Sequence, residues 1–191
     1  MTLRVGPGGV RLTVPRRTPA AQIEAFLRAS AGWVEEQSGR LAPSPAPLAD
    51  GLRAIVGERG LVTAAEDLAP HLVDWRGQFR GRAAALVKPA STDEMSRVVA
   101  LLAGAGVGIV PQAGNTSLCG ASVPDASGAQ VIVNVSRMNR VRAIDLDNDT
   151  ITVEAGCILA EIQSAAARAD LLFPLSLGAE GSCQIGGNIG T

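Results

Sequence analysis

The chain has 191 residues, of which 47% are hydrophobic and 18% charged, with a formal net charge of −1. That length can bury a real core, and the near-zero charge leaves no electrostatic footprint for nucleic acid or an anionic membrane surface. Three well-separated cysteines, Cys119, Cys157 and Cys183, contain no CxxC pair, so neither a zinc site nor a disulfide framework is suggested.

From the amino terminus, Leu3–Val5 and Val10–Val14 alternate around Gly6-Pro7-Gly8-Gly9, a β-hairpin pattern. The start, MTLRVGPGG, lacks the apolar run of a secretory signal. The longest apolar stretch, Val98 to Pro111, is broken by glycines and too short to span a bilayer. The location expected on these grounds is cytoplasmic, with no transmembrane segment. Thr18-Pro19 reads as a capped helix start, with Ile23, Phe26, Leu27 and Val34 on one face. The prolines of Leu41–Asp50 predict a linker between a hairpin–helix segment (1–40) and a domain over 51–191.

Within that domain, Leu52–Val56 and Glu66–Leu72 read as short helices, and Leu86-Val87 leads into an extended Lys88-Pro89-Ala90. Ser91 and Glu94 form a capping box before a helix through Met95, Val98, Val99 and Leu102. Strands are expected at Val107–Val110, Val131–Val135, Val141–Leu146 and Thr150–Glu154, then a helix over Ile158–Ala169. This order predicts an α+β domain, not a strict βαβ alternation. Gly104, Gly106 and Gly108 follow a helix and precede a strand, the reverse of a dinucleotide fingerprint, and no P-loop is present.

Two glycine-rich segments carry the chemistry. PQAGNTSLCGASVP (111–124) follows an apolar strand, and its small residues let successive backbone N–H groups converge on one anion. Asn115, Thr116, Ser117 and Ser122 add side-chain hydrogen-bonding groups, although an ordinary Ser/Gly surface turn has the same composition. GAEGSCQIGGNIGT (178–191) has the same character, and its bland reading is a flexible tail. His71, the sole histidine, is expected on a surface helix; Asp67, Asp74, Arg76 and Arg80 are expected to be solvated or salt-bridged.

From about Leu48 to Thr191 the chain resembles FAD-linked oxidases and dehydrogenases of the vanillyl-alcohol oxidase/para-cresol methylhydroxylase superfamily, which carry a PCMH-type FAD-binding domain. The D-2-hydroxyglutarate and D-lactate dehydrogenase branch fits best. The resemblance runs through DWRGQFRG (74–81), KPASTDEMSRVV (88–99), the 111–124 loop, SRMNRV (136–141), VEAGCILAEIQ (153–163) and FPLSLGAEGSCQIGGNIGT (173–191). It implies that Pro111, Gln112, Ala113, Gly114, Asn115, Thr116 and Ser117, with Ser122, wrap the FAD pyrophosphate. It implies further that Pro174, Leu175 and Gly178 lie beside the flavin, and that Gly181, Ser182, Ile185, Gly186 and Asn188 continue along the cofactor. Ala113 and Ala121 stand where the family usually has glycine. Some family members attach FAD through a histidine in this loop; none is present here, so the flavin is expected to be non-covalent.

The family's reaction passes hydride from a D-2-hydroxy acid to flavin and electrons onward to a quinone, cytochrome or electron-transfer flavoprotein. Its catalytic groups and metal come from regions beyond the IGGN motif, so the expectation is a truncated FAD-binding oxidoreductase with no catalytic residue and no metal ligand in this chain. The alternative is an inactive flavin-binding remnant or fusion product. Residues 1–38 faintly resemble the start of small bacterial zinc metallopeptidases, but no HExxH occurs.

Overall fold

The computed structural model describes residues 1–6, 9–16, 18–41 and 45–190. β1 (Thr2–Gly6) and β2 (Gly9–Thr13) pair antiparallel with Gly6 opposite Gly9, as the alternation predicts. Pro7 and Gly8 of the expected turn lie outside the described residues. α1 spans Ala20–Leu41. Its start differs from expectation: the Thr18 hydroxyl donates back to the Pro15 carbonyl at 2.8 Å, and the Pro19 carbonyl accepts the N–H groups of Gln22 and Ile23. Thr18 therefore closes the preceding turn, and Pro19 opens the helix.

The linker expected over 41–50 is replaced by helix for much of its length. Leu41 ends α1, residues 42–44 lie outside the described residues, and α2 covers Pro45–Val56. Pro45 and Pro47 sit in its first turn, where a missing N–H costs nothing. Leu48, Leu52 and Val56, spaced by four, turn one face of α2 into the core.

The core forms around a four-stranded sheet of β3 (Leu61–Val62), β4 (Ala85–Val87), β5 (Ile109–Gln112) and β6 (Val131–Asn134), in the order β3-β4-β6-β5. β6 pairs parallel with both β4 and β5, while β3 pairs antiparallel with β4. Between β3 and β4 lie α3 (Ala65–Leu68) and a single 3-10 turn, Ala69–His71. α4 (Thr92–Gly104) crosses from β4 to β5, leaving the gap that β6 fills. β6 reads Val-Ile-Val because both its faces are covered. Val131 and Val133 pack with Leu52, Val56, Val98 and Leu102, whereas Ile132 packs with Leu68, Leu86 and Val110. Ser91 caps α4 by accepting the Glu94 N–H at 3.1 Å; the Glu94 carboxylate reaches back to the Ala90 N–H at 2.7 Å, one residue before the usual partner.

β7 (Val141–Asp145) and β8 (Thr150–Val153) form a separate antiparallel hairpin. α5 (Leu159–Arg168) packs Ile162 against Cys157, Ile185 and Phe173. A last short helix, α6, covers Ile185–Ile189. Among the described residues no helix is long and apolar enough to cross a membrane.

One ion-pair network ties the two ends of the β7–β8 hairpin together. Glu154 is 3% exposed, and its carboxylate accepts from the Arg140 guanidinium at 2.8 Å, the Arg140 backbone N–H at 3.0 Å and the Arg142 guanidinium at 3.1 Å. The Arg140 side chain is the main reason that its pKa falls from 4.5 to about 2.

Two substitutions test this packing. Leu102→Ala empties a fully buried position between α4 and the sheet and should lower the unfolding free energy by about 2–5 kcal/mol, read from denaturant melts. Glu154 has a depressed folded-state pKa, so its contribution is complete above pH 4.5 and is lost as pH falls toward about 2. Glu154→Gln should therefore be less stable than the parent at neutral pH and should lack that part of the acid slope. Superimposable stability–pH curves would contradict the network's role.

Candidate functional site

The carboxy-terminal end of β5 carries a buried amide on which the surrounding chain converges. Gln112 is 2% exposed; its Nε2 donates to the carbonyl of His71 at 3.0 Å and to that of Ser122 at 2.9 Å. Its Oε1 lies 2.6 Å from Nδ1 of His71 and accepts from Nδ2 of Asn134, on β6, at 3.3 Å. Asn134 also donates to the Ala113 carbonyl at 3.1 Å, so the loop leaves the sheet along a tied path.

Asn115 then turns that loop. It adopts φ 52°, a left-handed conformation that asparagine tolerates better than most residues. Its Nδ2 donates to the Val73 carbonyl at 2.9 Å, and its Oδ1 accepts from the Ser122 hydroxyl at 2.8 Å. Neither Ala113 nor Ala121 has positive φ, so the methyl groups that replace the family's glycines cause no backbone strain.

The second glycine-rich segment is docked, not a loose tail. The Cys183 and Glu180 carbonyls accept the N–H groups of Leu159 and Ala160 at the start of α5, at 3.1 and 3.0 Å. The N–H groups of Ile185 and Gly186 donate to the carbonyls of Cys157 and Ala155 at 2.9 and 2.8 Å. Thr191 lies outside the described residues. The two segments touch at Gly114, where a Cβ would overlap the Ser182 carbonyl oxygen; only glycine lets the backbones approach this closely.

Between them opens a cleft of about 750 Å³, within the size range of small-molecule sites. Of the residues singled out from sequence, Ala113, Gly114, Asn115, Gly181 and Ser182 line it. Gln112 and Ser122 stand behind the loop and hold it. Thr116 and Ser117 continue the loop half-buried, with the Ser117 hydroxyl oxygen accepting the Cys119 N–H at 3.2 Å. The remaining expected residues lie outside the cleft. Pro111, Pro174 and Gly178 are exposed, Leu175 and Ile185 pack into the α5 cluster, Gly186 lies against Ala155, and Asn188 sits on α6.

The rest of the lining was not expected. His71, Asp74, Trp75 and Lys88 line the cleft, as do Asn134, Ser136, Ile158 and Gln184. His71 is half-buried in the 3-10 turn, not on a surface helix. Asp74 is 2% exposed, not solvated; its carboxylate accepts the N–H groups of Phe79 at 2.7 Å and Arg76 at 3.2 Å, closing the 74–79 loop. An aspartate followed by glycine three residues later is a turn signal, which could have revealed that role. Asp67, Arg76 and Arg80 are exposed as expected. Lys88 is fixed through its backbone, its N–H donating to Gly60 and its carbonyl accepting from Arg137 at 2.8 Å. Gln184 keeps a buried Oε1 without a hydrogen-bond partner at the end of the cleft, an acceptor that a ligand hydroxyl or N–H would satisfy. Among the described residues no cluster of His, Cys, Asp or Glu could hold a metal ion.

The arrangement is one for holding a polar, phosphate-bearing molecule. Small residues of the two glycine-rich segments line the cleft together with Lys88 and His71.

Comparison with known proteins agrees. A family model described as an FAD binding domain matches residues 83–191. A probable mitochondrial D-2-hydroxyglutarate dehydrogenase of Oryza sativa subsp. indica is 37% identical over 139 residues, 73% of this chain and 24% of that protein. A putative mitochondrial D-lactate dehydrogenase of Schizosaccharomyces pombe is 33% identical over 142 residues, 71% of this chain and 27% of that one. The chain thus spans about a quarter of the length of the curated relatives it matches. Among solved structures, alkyldihydroxyacetonephosphate synthase superposes with a TM-score of 0.71 at 21% identity, over 78% of this chain and 29% of that one. p-Cresol methylhydroxylase superposes with a TM-score of 0.56 at 19% identity, over 72% and 27%. These two likenesses show the fold, which is that of the PCMH type.

The cytoplasmic expectation is corrected by the same comparisons, since the relatives from rice, Arabidopsis thaliana and Danio rerio are named as mitochondrial. With its two glycine-rich segments, its mixed sheet and its match over residues 83–191, the chain belongs to the family of FAD binding domains.

Proposed function

We propose that this chain holds FAD non-covalently, with the diphosphate in the cleft between residues 113–117 and 181–184. The carrying observation is the contact of Gly114 with the Ser182 backbone, which makes one site out of two glycine-rich segments far apart in sequence. Ala113, Gly114, Asn115, Gly181 and Ser182 would touch the phosphates; Thr116 and Ser117 would extend that contact. Pro174, Leu175, Gly178, Ile185, Gly186 and Asn188 would follow the rest of the cofactor. Pro111, Gln112 and Ser122 act by shaping the loop. The binding unit begins at α2, whose Leu48, Leu52 and Val56 belong to the core beneath β4 and β6.

When bound, FAD supplies a hydride acceptor. The names of the relatives support a role as the flavin-holding part of a dehydrogenase for D-2-hydroxy acids such as D-lactate or D-2-hydroxyglutarate. The acceptor proposed for its electrons is a quinone, cytochrome or electron-transfer flavoprotein. The non-covalent mode is supported by the absence of histidine from the 111–124 loop.

Titration of the folded chain into FAD, followed by flavin fluorescence, should show saturable one-to-one binding, and acid precipitation should release all the flavin. Gly114→Val should weaken binding by about 10–100-fold, the equivalent of about 1–3 kcal/mol for forcing two packed backbones apart. Absence of FAD binding by a chain with intact circular dichroism would overturn the proposal.

A further inference from the structure

We infer that His71 is a phosphate-binding group that meets the cofactor through Nε2, with the protonation of its ring set by Gln112; the inference rests on the FAD reading of the cleft. The two bonds from Gln112 Nε2 end on backbone carbonyls, which can only accept. The carboxamide therefore has one permitted orientation, with Oε1 toward His71. At 2.6 Å from that oxygen, Nδ1 of His71 must carry a proton. In the neutral ring Nε2 is then a bare acceptor. Protonation places an N–H and a positive charge at Nε2 without disturbing the Nδ1 bond.

The ring borders the cleft, and Nε2 has no hydrogen-bond partner among the described residues. One nitrogen is locked and the other is open to an occupant. The other titratable groups lining the cleft are Asp74, whose carboxylate accepts the Phe79 and Arg76 N–H groups, and Lys88 at the end of β4. From β5, β6 and the two glycine-rich segments the facing side chains are neutral: Gln112, Asn115, Asn134, Ser182 and Gln184. A diphosphate oxygen is thus the anion that a protonated Nε2 would meet, in a charge-assisted hydrogen bond.

The chain has a single histidine, so 15N-histidine labelling gives one pair of ring-nitrogen signals. At high pH the free chain should show the Nδ1-protonated tautomer; FAD should shift Nε2 far more than Nδ1. His71→Asn keeps an amide N–H near the Nδ1 position but has no Nε2. It should bind FAD about tenfold more weakly and bind riboflavin, which lacks phosphate, as the parent does. A free chain with the Nε2-protonated tautomer would overturn the inference. FAD binding by the parent that leaves the imidazole signals unmoved would sink it alone. Failure of the folded parent to bind FAD would sink the FAD reading with it.

Discussion

The buried carboxamide of Gln112 is the constraint on which the cleft depends. Strand β5 ends there, and the chain leaves the sheet as a glycine-rich loop. A loop with so many uncommitted N–H groups needs an internal anchor. Gln112 joins the 3-10 turn at His71, the far side of the loop at Ser122, and β6 through Asn134. Any of these groups left buried and unpaired would cost about 1–3 kcal/mol, which favours one loop geometry over its alternatives. Asn115 repeats the device one turn later, clamping the loop to Val73 and Ser122.

The second segment is held by different physics. The opening N–H groups of an α-helix have no partners within the helix, and at α5 two of them bond to carbonyls of the 180–183 turn. Its entry is aligned by a single antiparallel bridge between Ile158 and Gln184. Ile185 is then drawn into the cluster of Cys157 and Ile162. The helix start thus positions Gly181 and Ser182 against Gly114.

Much of the frame was legible because it rests on periodicity. The β1–β2 alternation, the Ser91/Glu94 box and the apolar β6 each follow local rules that the structure obeys. The 41–50 stretch misled because prolines in the first turn of a helix look like prolines in a linker, and only Leu48, Leu52 and Val56 together reveal α2. The parallel pairing of β4 and β5 on either side of β6 could not be seen, since β6 enters the gap from beyond the loop. The glycine-rich wall of the cleft was visible from small-residue patterning. The rest of its lining was not, because His71, Asp74 and Lys88 reach the cleft only through tertiary contacts with segments distant in sequence. A lone histidine carries no local signal of burial, and Asp74 had only the turn signal of Gly77 three residues later.

That two glycine-rich segments act as one site is tested most directly by residue-resolved amide hydrogen exchange of the folded chain, with and without saturating FAD. Amides of 113–117 and 181–186 should gain protection together while β1, β2 and α1 stay unchanged. Protection confined to one segment, or appearing only away from both, would contradict the single site.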